Sequence, residues 1–260
     1  MCRISVVTIC FNNLEELKRT CKSVDDQNAS PYEHWIIDGS TSEEINHWLN
    51  TAPQPAYRKW ICEPDKGIAD AFNKGIQRST GDVVQLLNAA DVYANSEVLG
   101  RVSETFDLNP GFQWLTGKIY INRVGSIVLV GKAFNASKLY RGMRSISHPT
   151  WFVKRNVYNE LGNYDVQYKI AMDYDMMCRL KKHKAAFLDL PLVIFDDSGI
   201  STHSYLAALK ETKKVYQTHF GFSLKMEIWQ LRLRLLHWLQ KTSLGKFLFF
   251  IKRKLGLENL

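Results

Sequence analysis

The sequence predicts an α/β fold with a mixed, mostly parallel sheet, and three observations support this. Short β-branched runs alternate four times with helical patterns between residues 5 and 106. Parallel strands need crossover connections, usually helices, so this alternation indicates a Rossmann-like sheet. The 260 residues are 45% hydrophobic and 23% charged, which is a globular composition. A chain of this size buries a substantial core, and a disordered or disulfide-scaffold protein is excluded.

The elements follow in order along the chain. The four predicted strand-helix pairs are 5–10 with 14–24, 34–37 with 41–49, 60–62 with 68–76, and 83–87 with 96–106. Residues 114–130 predict a hairpin with a turn near 122–125. Helices around 153–161 and 173–182 and a short strand at 192–195 come next. No linker interrupts residues 1–220, which we expect to form one domain.

The cysteines and the apolar segments indicate the compartment. Five cysteines are scattered along the chain without a C-x-x-C pair, which argues against a zinc site or a disulfide framework. The apolar run at 4–10 is too short for a secretory signal, and no stretch approaches the ~20 apolar residues of a spanning helix. We therefore expect a cytoplasmic protein.

Residues 221–260 are predicted to be a basic amphipathic helical tail. Between 225 and 254 there are eight Lys and Arg but a single Glu, interleaved with Trp, Leu and Phe. This pattern is typical of a helix that lies on an anionic membrane surface. The alternative is a helix docked on the parent domain with its basic residues in solvent. Nucleic acid is not an expected partner, because the aromatic residues follow helical spacing rather than forming a stacking platform.

Ligands of doubly wound sheets bind beyond the carboxyl ends of the strands. Asp38 follows the second predicted strand and precedes Gly39, so it is placed to accept hydrogen bonds from a nucleobase or ribose. The alternative is that Asp38 caps the turn. Lys66 and Lys74 lie near the start of a predicted helix, where a diphosphate would bind. The alternative for Lys74 is a surface pair with Asp70, four residues before it.

Four further positions suggest a metal and a proton acceptor. Asp91 follows the fourth strand, and one carboxylate plus substrate phosphates suffices for a magnesium-type site, although a turn role is the alternative. Asp173 and Asp175 are two apart and do not share a helix face. Because Asp175 has Arg179 four residues on, Asp173 is the candidate general base. His148 and His203 are candidates for the same cleft, with structural roles as the alternative.

Five segments, taken in order, resemble the family 2 glycosyltransferases of the GT-A fold. They are SVVTICFNN, IIDGST, EPDKGIADAFNKGI, TGDVVQLLNAADVY and SHPTWFVKRNVYNELGNYDVQYKIAMDYDMMCRL. The resemblance covers residues 3–205 and is greatest to bacterial enzymes of exopolysaccharide, colanic acid and O-antigen (lipopolysaccharide) synthesis. It implies a metal-dependent, inverting transfer from a UDP-sugar to a polyprenyl-linked glycan, on the inner face of the plasma membrane, with Mn²⁺ or Mg²⁺ as cofactor.

The resemblance also implies roles for individual residues. Asp38 would contact uracil, Asp91 and His203 would bind the metal, and Asp173 would deprotonate the acceptor hydroxyl. Lys66 or Lys74 would neutralise the departing diphosphate together with the metal. His148 would lie on the acceptor side. The remaining nucleotide-sugar contacts would be Thr8, Phe11, Asn12, Asp65, Asn73, Asn88 and Ala89.

The sequence departs from the family pattern at two positions, and two other functions are alternatives. Ala90 stands where many relatives have an acid, which predicts weaker metal binding, and Pro149 replaces a common Gln. A nucleotidyltransferase is one alternative, but its glycine-rich phosphate loop is absent from residues 9–14. A catalytically silent nucleotide-sugar-binding subunit is the other. Ala90 favours that subunit, while Asp91 and Asp173 argue against it.

Overall fold

A nine-stranded mixed sheet organises the computed structural model, which describes residues 1–123, 126–144, 146–196, 204–243 and 245. The strands are β1 (Ile4–Cys10), β2 (Glu33–Asp38), β3 (Arg58–Cys62), β4 (Val83–Leu86), β5 (Val92–Tyr93), β6 (Trp114–Arg123), β7 (Ser126–Val130), β8 (Phe152–Lys154) and β9 (Ala185–Phe195). Their order is β3-β2-β1-β4-β8-β6-β9-β5, with β7 paired to β6.

Helices cover this sheet and connect its strands. They are α1 (Leu14–Asp25), α2 (Glu44–Thr51), α3 (Ile68–Arg78), α4 (Val98–Leu108), α5 (Arg155–Leu161), α6 (Met172–Arg179), α7 (Tyr205–Phe220) and α8 (Leu224–Lys241). The short 3-10 helices are η1 (Ala136–Arg141), η2 (His148–Thr150) and η3 (Leu180–Lys182).

The first half of the sheet is parallel, as predicted. β1 pairs in parallel with both β2 and β4, and β2 pairs in parallel with β3. The register sets Cys10 beside Asp38 and Asp38 beside Cys62, so these strands end at one edge. The helix α3 packs very closely on this sheet at Gly75, which has no side chain. An added Cβ on Gly75 would stand only 2.2 Å from Cγ1 of Val7. The predicted strand-helix alternation therefore places the polar loops after β1, β2 and β4 side by side.

The second half of the sheet mixes both directions. β8 is antiparallel to β4 and β6, the β6–β7 hairpin is present, and β9 runs parallel to β6. β9 begins seven residues earlier than the predicted strand at 192–195. Pro191 interrupts its apolar pattern, and the structure accommodates it opposite Lys118, where the ladder shifts register.

The segment predicted as one helix at 153–161 contains two elements. Phe152–Lys154 is the strand β8, and the helix α5 begins only at Arg155. In a short buried apolar run, periodicity alone does not distinguish a strand from a helix. Pairing with β4 and β6 decides the outcome here.

The described part of the tail is the helix α8, which packs against the domain through one face. Met226 and Trp229 are buried, and the Trp229 ring lies 6.3 Å from that of Tyr140 in η1. Lys213 of α7 pairs with Glu227 at 2.7 Å. Residues 244 and 246–260 lie outside the described residues, and the domain boundary at 220 stays a prediction. In the described residues, every helix is too short or too polar to cross a bilayer.

Candidate active site

A cleft of about 800 Å³ opens where the chain leaves β1 and β4, facing the start of α6. Six residues that the sequence singled out line it together: Asn12, Asn88, Ala89, Asp91, His148 and Asp173. They come from four separate segments of the chain. The parallel half of the sheet supplies the first four residues, and the antiparallel crossing into β8 brings the other two to the opposite wall.

Asp91 and Asn88 present buried oxygens without hydrogen-bond partners among the described residues. Asp91 is 2% exposed, and its Oδ1 accepts the amide N–H of Asp196 at 3.0 Å. Oδ2 of Asp91 and Oδ1 of Asn88 accept no hydrogen bond from the described part of the chain. Burial, together with nearby Asp196, raises the pKa of Asp91 to about 7. A buried carboxylate in this condition is suited to a cation.

The loop that carries Asp91 has an unusual backbone held by helix α1. Ala90 has φ of 87°, a left-handed conformation that non-glycine residues rarely adopt. The hydroxyl of Thr20 accepts the amide N–H of Ala90 at 3.0 Å and lies 2.8 Å from the carbonyl oxygen of Asp91. Thr20 is fully buried, so it fixes the loop from beneath.

Asp173 and His148 form a second polar pair in the cleft. Oδ1 of Asp173 lies 3.6 Å from Nε2 of His148 and accepts no hydrogen bond from the described residues. Burial raises the pKa of Asp173, and the same burial lowers the pKa of His148 against the opposing charge of Asp173. The His148 ring packs 5.0 Å from Phe72 and 5.2 Å from Trp151. A neutral imidazole therefore stands beside a carboxylate that favours binding a proton.

Asp175 is committed to structure instead. Its Oδ2 accepts a hydrogen bond from Nη2 of Arg179 at 2.7 Å, and its Oδ1 lies 2.7 Å from Nε2 of His219 in α7. Asp173 and Asp175 are two positions apart, so the helix turns them to different sides. The local pair that the sequence predicted for Asp175 is present, and Asp173 is the one that lines the cleft.

Asp38 and Asp65 lie together at the sheet edge beside the cleft. Oδ1 of Asp38 accepts the amide N–H of Ser40 at 3.0 Å and also the Ser40 hydroxyl. A Cβ on Gly39 would stand 1.8 Å from Oδ2 of Asp65, so only glycine allows this approach. Asn12 connects this turn to the cleft, since its amide N–H donates to the Ser40 hydroxyl at 2.8 Å.

Several predicted contact residues lie elsewhere. Thr8 is buried within the sheet, with its hydroxyl 2.9 Å from Nε2 of His34. The side chain of Asn73 donates to the carbonyl of Tyr164 at 2.9 Å and accepts its N–H at 2.8 Å, so Asn73 ties two segments together. The structure therefore does not bring Thr8 or Asn73 into the cleft. Phe11 is 58% exposed on the loop after β1.

The two predicted lysines differ in their surroundings. Lys74 pairs with Glu63 at 3.0 Å and lies 3.8 Å from Asp70, so the surface-pair alternative describes its contacts. Lys66 is exposed, and its side chain makes no ion pair within the described ranges. His203 falls outside the described residues.

Two residues of this region were missed by the sequence analysis. Asp196 follows β9 and donates its amide N–H to Asp91, and its position directly after a predicted strand was the available signal. Glu211 of α7 lies 40 residues from the loop that it holds. Its carboxylate accepts the N–H groups of Lys169, Ile170 and Ala171 at 3.0, 2.7 and 2.6 Å. These amides lead into α6, so Glu211 positions the segment that carries Asp173.

Comparison with known proteins identifies the family of this chain. Residues 5–162 match the family described as Glycosyl transferase family 2. This chain belongs to glycosyltransferase family 2. An uncharacterized glycosyltransferase of Mycobacterium tuberculosis is 30% identical over 208 residues, covering 77% of each chain. A PGL/p-HBAD biosynthesis glycosyltransferase of Mycobacterium bovis is 25% identical over 177 residues, covering 67% of this chain and 68% of the relative.

Solved structures share the fold at low identity. A Staphylococcus aureus TarS fragment (residues 1–349) in complex with UDP-GlcNAc superposes with a TM-score of 0.61 at 13% identity, covering 88% of this chain and 70% of that one. The chain spans 44% of the longer TarS chain. A Pyrobaculum calidifontis mannosyltransferase with GDP-Man and Mn²⁺ gives a TM-score of 0.62 at 12% identity, covering 99% and 81%. The predicted GT-A fold is confirmed.

The contacts of Glu211 predict a local effect of its replacement. In Glu211→Ala, three amides lose their acceptor, and we expect the free energy of unfolding to fall by about 1–3 kcal/mol. Glu211→Gln keeps one acceptor oxygen, so its free energy of unfolding should lie between those of the parent and Glu211→Ala. Urea denaturation measures the stability, and hydrogen–deuterium exchange of residues 169–171 locates the change.

Glu44→Ala is the matched control, because Glu44 is exposed at the start of α2. This variant should stay within about 0.5 kcal/mol of the parent. If the exchange of residues 169–171 is the same in Glu211→Ala as in the control, Glu211 does not hold the segment.

Proposed function

We propose that this protein is an inverting glycosyltransferase that moves a sugar from a UDP-sugar to a lipid-linked glycan in cell-surface polysaccharide synthesis. One observation carries the proposal: a single cleft contains the buried, unpartnered oxygens of Asp91 and Asn88, counted within the described residues, and the carboxylate of Asp173. A cation site and a base are the two groups that this reaction needs. Membership of the family indicates a glycosyltransferase. The donor, the acceptor and the inverting stereochemistry are our proposal.

The donor nucleotide is assigned to the sheet edge. A carboxylate can accept the hydrogen bond that the imide N–H of uracil donates. Asp38, the last residue of β2, would be this acceptor. Asp65 and Asn12 complete the edge through the contacts around Gly39 and Ser40. The TarS fragment that shares the fold has been solved with UDP-GlcNAc, which supports a nucleotide sugar as the ligand class.

A divalent cation, Mn²⁺ or Mg²⁺, fits the residues present. Asp91 would hold it, with Asn88 and the neighbouring Asp196 as further oxygen donors, and His203 stays the additional ligand that the resemblance implies. The described residues contain no cluster of three or more Asp, Glu, His or Cys suited to a metal, so substrate phosphates would supply ligands too. The cation supplies charge neutralisation on the departing diphosphate.

Lysines and Asp173 complete the proposed chemistry. Lys66, rather than the paired Lys74, is the better cation for the diphosphate, and Lys169 lines the cleft nearby. Asp173 would take the proton of the acceptor hydroxyl while that oxygen attacks the anomeric carbon opposite the leaving group, which inverts the centre. The raised pKa of Asp173 makes it a stronger base than an exposed carboxylate. Neutral His148 would orient it on the acceptor side.

Release of UDP tests the assignment. A panel of UDP-sugars is incubated with acceptor lipid extract and Mn²⁺ or Mg²⁺, with EDTA as the metal-free arm. We expect one donor to give metal-dependent UDP release, and Asp173→Asn to lower the rate by about 10²–10⁴-fold because the base is lost. Calorimetry should show that Asp173→Asn still binds UDP.

Asp26→Asn provides the matched control, since the exposed carboxylate of Asp26 pairs with Lys22 alone among the described residues. It should keep the parent rate. Full turnover by Asp173→Asn would refute the mechanism, and an absence of UDP binding by the parent would refute the donor site. UDP binding without any turnover would favour the silent subunit, the alternative that Ala90 supports.

We also propose that residues 225–254 hold the enzyme on the inner face of the plasma membrane. The outer face of α8 exposes apolar residues at intervals of three and four: Leu224, Ile228, Leu231, Leu235 and Trp238. Exposed Lys225 and Arg234 flank them. This arrangement is typical of helices that lie in an anionic membrane interface.

Vesicle sedimentation tests the membrane proposal. The triple variant Leu231→Ser, Leu235→Ser and Trp238→Ser should bind phosphatidylglycerol vesicles at least tenfold more weakly, because apolar burial in the interface is lost. The control replaces exposed apolar residues elsewhere, with Leu108→Ser, Ile127→Ser and Leu129→Ser. Equal binding by both triple variants would contradict the proposal.

A further inference from the structure

A second cavity, of about 410 Å³, lies between η1, the segment that follows it and helix α8. Five cationic side chains line it: Lys132, Lys138, Arg141, Arg144 and Arg232. Its described lining contains no Asp or Glu. None of the five forms an ion pair within the described part of the chain. Such an uncompensated group of like charges is stabilised by a bound anion.

The arginines of this basic cavity are organised around Trp229. The guanidinium carbons of Arg141, Arg144 and Arg232 lie 5.2, 5.5 and 5.1 Å from the centre of the Trp229 rings. Stacking of this kind fixes a guanidinium and leaves its N–H groups available in its plane. Trp229 is 8% exposed, and its indole N–H has no acceptor among the described residues. A buried donor without a partner is a second, independent sign of an acceptor ligand.

The basic cavity and the catalytic cleft share one wall. Gly142 and Arg144 line the basic cavity, Met143 and Ser147 line the cleft, and Ile146 lines both. The hydroxyl of Tyr174, the neighbour of Asp173, donates to the carbonyl of Leu139 in η1 at 2.6 Å. A ligand that lies across this wall would place one group beside Asp173 and another among the arginines.

The apolar face of α8 indicates what else the ligand carries. Trp229 and Arg232 belong to α8, and the exposed residues Ile228, Leu231 and Leu235 alternate with them along that helix. An anion held by Arg232 would therefore lie next to an apolar surface. This combination fits an amphiphile with a charged group and a hydrocarbon chain.

We propose that the basic cavity binds the phosphate or diphosphate group of the amphiphilic acceptor. The acceptor sugar would then lie in the cleft with Asp173, and the hydrocarbon chain would lie in the membrane beside α8. This inference rests on the proposed function and names the binding site of its acceptor. Free phosphate and ordinary anionic lipid headgroups share the same chemistry, so the experiment separates these sources.

Calorimetry with the full chain, saturating UDP and Mg²⁺ tests the site, because UDP blocks the donor side. The probe is geranyl diphosphate, compared with geraniol, inorganic diphosphate and dihexanoyl phosphatidylglycerol. We expect geranyl diphosphate to bind most tightly and geraniol not to bind. The triple variant Arg141→Gln, Arg144→Gln and Arg232→Gln should bind the probe at least tenfold more weakly. Trp229→Phe, which keeps an aromatic ring and removes the indole N–H, should bind the probe about threefold more weakly.

The control removes the same charge outside both the cavity and α8, with Arg19→Gln, Lys182→Gln and Lys210→Gln, all exposed. It should keep the parent affinity for the probe within twofold. Equal losses in both triple variants would overturn the site, as would equal affinity for inorganic diphosphate or for the phosphatidylglycerol. If UDP binds and geranyl diphosphate does not, this inference fails alone. If UDP itself does not bind, the proposed function fails.

Discussion

The rest of the site depends on the burial of the Asp91 carboxylate. One of its oxygens is satisfied by the backbone of Asp196, and the other has no hydrogen-bond partner among the described residues. Such a group is costly unless a proton or a cation accompanies it, and burial raises its pKa to about 7. Thr20 holds the surrounding loop in a strained conformation, and Asp91 in this loop is 2% exposed. The fold thus keeps a place for positive charge at the end of β4.

The mixed sheet explains how two distant segments reach this place. Parallel pairing gathers the loops after β1, β2 and β4 at one edge, which suits a nucleotide. Antiparallel pairing of β8 with β4 then carries His148 to the opposite wall. Helix α7 fixes that wall from outside, through Glu211 before α6 and through His219 against Asp175. The proposed donor and acceptor sides are therefore built by different halves of the chain.

Local patterns predicted much of this arrangement, and contacts between distant segments account for the remainder. The four strand-helix pairs and the choice of Asp173 over Asp175 followed from periodicity and from the spacing to Arg179. Most of β9 was not predicted, because Pro191 interrupts its pattern. The register shift that accommodates Pro191 arises only when β9 pairs with β6. Asn73 was predicted to contact the nucleotide sugar, yet its side chain bonds to the backbone of Tyr164. The basic cavity requires α8 to dock on η1, which no local pattern predicts.

Electron paramagnetic resonance of bound Mn²⁺ tests whether Asp91 holds a cation, because it reports on the cation without requiring turnover or an acceptor. We expect Mn²⁺ to bind in the presence of UDP with an ordered spectrum, and Asp91→Asn, which keeps the shape and removes the charge, to abolish that signal. Asp26→Asn should leave it unchanged. An identical Mn²⁺ spectrum and affinity in Asp91→Asn would show that the buried carboxylate is not the group that holds the cation.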